Sequence, residues 1–112
     1  VPHGLACAAL LAPVIEANVR AVQAQGTGQA VLDRYAEAAR LLTGQPGASI
    51  ADGLTWIRET LGLLAVPGLA AFGFGAGQVD DVAAKALTSS SMQGNPVTLS
   101  RDDLKAILRE AL

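Results

Sequence analysis

The chain has 112 residues, of which 51% are hydrophobic and only 16% charged, against roughly 25% charged in an average soluble protein. That is long enough for one domain with a real core and too apolar for intrinsic disorder. Eight Lys and Arg, dispersed along the chain, and a formal net charge of −2 leave nucleic-acid binding without its electrostatic drive.

With one Trp, one Tyr and two Phe, the composition favours helices packed through small side chains over an aromatic-cored sandwich. The first predicted helix runs from about Gly4 to Gln25. Leu5, Ala8, Ala12, Ile15, Val19 and Val22 recur at steps of three and four, which is helical spacing. Leu10, Leu11 and Val14 widen that stripe, so the first half of the helix calls for burial from several directions. Pro13 removes a backbone donor and is expected to kink the helix without ending it. Beyond Glu16 the pattern turns amphipathic, with Asn18, Arg20, Gln23 and Gln25 expected outside. The longest apolar run, Leu5 to Ile15, is broken at Pro13 and too short to cross a bilayer. It also lacks the basic leader and cleavage region of a secretory signal.

Gly26-Thr27-Gly28 stops this helix. A second is expected over Ala30 to Leu42, with Leu32, Tyr35, Ala39 and Leu42 inward. The turn "TGQPG" follows, and Ser49 with Asp52 three residues on predicts a capping box for a third helix. Its stripe is Ile50, Leu54, Ile57, Leu61 and Leu64. "VPGLAAFGFGAG" reads as a connector plugged by Leu69, Phe72 and Phe74. A fourth helix is expected from Val79 to Leu87, burying Val82, Ala83, Ala86 and Leu87. The polar loop "TSSSMQGNP" leads to a fifth, capped by Ser100 and Asp103 and running through Leu104, Ile107, Leu108 and Ala111. The expected architecture is all-α, about five helices in a single domain over residues 1–112.

The residues offer little self-contained chemistry. His3 is the only imidazole, and a lone His near a chain end is most simply a solvated one. Cys7 stands at i+4 from it, so a two-ligand contact is geometrically open, but two ligands do not close a metal site. Cys7 reads more naturally as a small core residue. A single Cys cannot form an internal disulfide, which points to the cytoplasm. "GFGAGQVDD" lacks the G-x-G-x-x-G spacing and a preceding strand, so it is a turn and not a phosphate loop. Ser89, Ser90 and Ser91 have no second His, and no Lys three residues on, to activate them. Trp56 and Tyr35 are expected to pack within helices. No residue is assigned a catalytic or nucleotide-binding role.

Two stretches carry a resemblance. "PHGLACAALLAPVIEAN" resembles the Pro-His-Gly…Ala-x-Leu-Leu-x-x-Val-x-x-x-Asn helix of iron-containing (group III) alcohol dehydrogenases. "SSSMQGNPVTLSRDDLKAIL" resembles that family's closing segment, where a loop ends in Asn-Pro and a Thr/Ser-capped helix finishes the chain. "RYAEAARLLTG" and "LGLLAVPGLAAFG" match between them in kind and order.

The resemblance implies the later part of a C-terminal helical domain that follows an N-terminal nucleotide-binding domain in the same chain. It implies one divalent metal, iron first and zinc second, held by an Asp and three His, of which His3 matches the last. It implies NAD or NADP as hydride carrier and a small alcohol or aldehyde as substrate. Ser91 takes the place of a pocket-lining Cys found in relatives four residues before the Asn of Asn-Pro, which makes it a candidate substrate-pocket residue. Cys7, where many relatives have Asn, and Val97, where many have Arg, depart from the pattern and leave substrate and cofactor choice open.

On this reading the chain starts at its metal histidine, the other ligands lie upstream of Val1, and the 112 residues alone have no dehydrogenase activity. Neither nucleic acid nor membrane is an expected partner; a homo-oligomer is an open alternative. The competing reading is a non-catalytic helical interaction module whose apolar first helix docks onto a partner chain.

Overall fold

The computed structural model describes residues 2–112. Five α-helices follow one another: α1 (His3–Gln25), α2 (Gln29–Thr43), α3 (Ile50–Leu63), α4 (Val79–Leu87) and α5 (Arg101–Glu110). Short 3-10 turns at Leu69–Phe72, Ala76–Gln78 and Ser90–Gly94 punctuate the connections, and there is no strand among the described residues. The five helices fall where the apolar spacing predicts them. The 3-10 turns do not announce themselves, because runs of three to five residues are too short to show a period.

The helix ends explain themselves locally. Ser49 and Asp52 form a reciprocal capping box at α3, as do Ser100 and Asp103 at α5. In each, the serine oxygen accepts the backbone N–H three residues on, and the Asp carboxylate accepts the serine N–H at 2.8 Å. Gly26 closes α1 at φ 68°, its N–H donating to the Val22 carbonyl; that left-handed turn is open to Gly at no steric cost.

α1 is the central element. On one side the hairpin of α2 and α3 packs against it through Ala12, Leu54 and Ile57, with Ile15 and Leu61 at the margin. On the other, Ala17 joins Val79, Ala83, Leu99, Leu104, Ile107 and Leu108 in the larger core built on α4 and α5. Arg58 of α3 pairs with Glu16 of α1 and, at 3.2 Å, with Glu110 of α5, while Lys105 of α5 meets Asp80 of α4 at 2.7 Å. These ion pairs are partly exposed and fix register more than stability.

Several expectations need correction. The buried residues of α1 are Ala12, Pro13, Ala17, Asn18 and Val22, so full burial begins only at Ala12; Leu11 is 46% exposed. Asn18, expected outside, is 1% exposed. Leu42, Leu64, Leu87 and Trp56, expected inside, are exposed. All but Trp56 stand at the end of a helix, where the neighbouring helix no longer covers them. In α4 the fully buried positions are Val79 and Ala83, with Val82 and Ala86 half-buried. Cys7 is exposed, not core.

α1 is 23 residues long with a mean hydropathy of 1.6 over its best window, enough by length and composition alone to cross a membrane. The apolar run from Leu5 to Ile15 understates it, because Pro13 does not break the helix and the helix continues past Glu16. The second half of α1 nevertheless lies between two protein cores and carries a buried, hydrogen-bonded Asn and a paired Glu, as a core helix does.

Candidate functional site

His3 is the first residue of α1, with Pro2 at its N-cap. Pro has no N–H to leave unsatisfied and a φ already suited to helix entry, and Ala6 N–H reaches back to the Pro2 carbonyl at 3.1 Å. The imidazole is exposed, and its Nε2 lies 3.4 Å from the Cys7 Sγ one turn along. At 3.6 residues per turn, Leu10 and Val14 point within about 20° of the His3 direction. One face of α1 therefore leads from the imidazole into the larger core, where Leu10, Val14 and Ala17 pack.

Asn18, the one buried polar residue among the described residues, organises the middle of the molecule. Its amide Nδ2 donates to the Asn95 Oδ1 at 3.1 Å and to the Tyr35 hydroxyl at 2.9 Å. In return the Asn95 Nδ2 donates to the Asn18 Oδ1 at 2.8 Å and to the Val97 carbonyl. Every buried side-chain nitrogen and oxygen among the described residues has a partner, so the cluster stabilises instead of carrying an unpaired dipole. It ties α1 to α2 and to the segment that ends the Ser90–Gly94 turn.

That turn carries Ser91, which is exposed, and Met92, which is half-buried. Met92 and Asn95 line a partly open apolar cavity of about 240 Å³ between α1, α4 and α5. Sequence reasoning singled out His3 and Ser91 and missed Asn18, Asn95 and Tyr35. A signal was present: Asn18 ends the first motif and Asn95 begins the Asn-Pro of the second. Two motif amides 77 residues apart are natural partners for one another.

Comparison with known proteins yields one match. The model of the Fe-containing alcohol dehydrogenase family, C-terminal, covers residues 1–112. The chain belongs to this family. No curated protein and no solved structure matches it.

The family's name implies iron, and the donors present can be tested against it. His3 offers an exposed imidazole nitrogen, with the Cys7 thiol as its nearest sulfur neighbour. Among the described residues, no three His, Cys, Asp or Glu side chains stand close enough to hold a metal. A metal ion of this type takes at least three protein ligands. These residues therefore do not make a whole site, and His3 offers a single exposed nitrogen donor.

Proposed function

We propose that the chain is the C-terminal helical part of a metal-dependent, NAD(P)-linked alcohol dehydrogenase that interconverts an alcohol with an aldehyde or ketone. The observation that carries this reading is the family match across residues 1–112. His3 contributes one ligand to a divalent metal, iron in the first instance and zinc in the second. An N-terminal nucleotide-binding domain in the same polypeptide supplies the other ligands and the dinucleotide site. A divalent metal held by His3 and ligands from the rest of the polypeptide would supply Lewis-acid polarisation of the substrate oxygen, and a bound nicotinamide would supply the hydride carrier. The working compartment is the cytoplasm.

Within this scheme the chain's own residues bind and position. His3 projects from the exposed first turn of a helix whose second half is fixed between two cores, so its imidazole has a rigid base. The Ser91 hydroxyl, on the turn that Asn95 ties to α1, offers a polar contact at the rim of the substrate pocket. With a single His, residues 1–112 by themselves do not turn over alcohol.

The test is an assay of the complete polypeptide with a primary alcohol and NAD or NADP, after chelation and again after Fe(II) or Zn(II) is returned. Nicotinamide reduction should appear only with metal restored. Reduction that persists in the chelated protein, or no reduction under any metal, contradicts the proposal. Turnover by residues 1–112 alone would refute the division of labour between the two domains.

A further inference from the structure

The apolar cavity lies along the same face of α1 as His3. Leu10 and Val14 of α1 form one wall, Val82 and Ala86 of α4 another, and Met92 a third, with the inner face of α5 as the floor. Asn95 is the only polar lining residue. Its amide is already committed to Asn18 and to the Val97 carbonyl, so the wall has no free polar side chain to offer. An occupant must be apolar. A dry cavity of about 150 Å³ with such walls accepts benzene; this one, at about 240 Å³, holds an aliphatic chain or ring of about six to eight carbons.

Leu10 stands seven residues beyond His3, or about 10 Å along the axis and on the same face. A substrate whose oxygen lies at the His3 end can send an extended chain of that size along α1 into the cavity. We propose that the cavity is the binding site for the aliphatic tail of the alcohol or aldehyde, which makes the substrate class medium-chain, about six to eight carbons. This rests on the dehydrogenase reading above. Ethanol is too short to reach from one end to the other.

Met92 is the only methionine of the 112 residues, so its methyl is a local reporter. The first measurement uses the metal-free complete polypeptide with a ¹³C-labelled methionine methyl, assigned through a Met92→Leu variant. Titration with 1-octanol should move the Met92 resonance saturably, and ethanol should not. Ala86→Leu, which fills the cavity, should abolish the shift. In the metal-loaded enzyme the same variant should lower kcat/KM for 1-octanol by about tenfold relative to ethanol. Leu10→Ala, which enlarges the cavity, guards against an Ala86→Leu chain that does not fold and should move the preference toward longer alcohols. No Met92 response to 1-octanol, or an equal loss for both alcohols, overturns the proposal. If no alcohol is oxidised at all, the dehydrogenase reading falls while the Met92 titration still decides whether the cavity binds an aliphatic chain.

Discussion

Asn18 is 1% exposed in the middle of an otherwise apolar helix, and its neighbours decide whether that helps or harms. Removing one member of a satisfied buried pair leaves the other with its full desolvation cost. Asn18→Ala should therefore destabilise the fold by about 2 kcal/mol, and Asn95→Ala by a similar amount. In a double-mutant cycle followed by urea unfolding, the two losses should fall well short of additive; strict additivity would mean the amides do not interact. Tyr35→Phe removes only one acceptor and should cost less, about 1 kcal/mol. Helical periodicity cannot reveal this cluster, since it assigns any Asn on an amphipathic turn to solvent. Only its distant partners, Asn95 and Tyr35, make the inward position favourable. His3 stands out in the sequence because it is the sole imidazole; the exposure of Cys7 was not legible, because residue type alone favours burial.

Among the elements, α2 and α3 approach each other closely at Gly53. A Cβ built there would meet the Ala39 Cβ at 2.6 Å, closer than such atoms pack. Gly53→Ala should thus push the hairpin apart and cost about 1–3 kcal/mol, although alanine is the better helix former; a rise in thermal stability would contradict that packing. The caps are separable from the core. Ser49→Ala and Ser100→Ala should each cost about 1 kcal/mol in thermal or chemical unfolding, and no change would show the boxes are idle. The backbone N–H of Ser49, followed by its hydroxyl, holds the Asp52 carboxyl below the usual aspartate value; a hydrogen bond from Lys105, and then its charge, does the same for Asp80. Both groups have a folded pKa lower than the unfolded one. Their contribution is present above the unfolded value, near pH 4, and is lost as pH falls through the folded value. Carboxyl ¹³C titration should place both midpoints below the ordinary aspartate range, and midpoints above it would contradict the geometry. Both capping boxes and all five helices were readable, because caps and periodicity are local. Which leucines finish outside was not, because burial at a helix end depends on the length of its neighbour.

At the scale of the molecule, α1 serves two ends. Its middle is held between two cores by Ala12 and Ala17, while its first turns carry an exposed His3 and a half-buried apolar face. The fold class and the family were both accessible from the sequence: the Pro-His-Gly helix and the Asn-Pro loop are long, ordered motifs. The cavity was not, since its walls come from α1, α4, α5 and the Ser90–Gly94 turn, and no single stretch contains it. The central claim, that the imidazole at the head of α1 is a metal ligand in an alcohol dehydrogenase, is tested most directly by metal analysis of the complete polypeptide beside its His3→Ala variant. Circular dichroism on the same samples should show equal helix content, because His3 is exposed and packs into neither core. Bound iron or zinc should be present in the parent protein and fall to background in the variant. Full metal retention by the folded His3→Ala protein would remove His3 from the site and contradict the account.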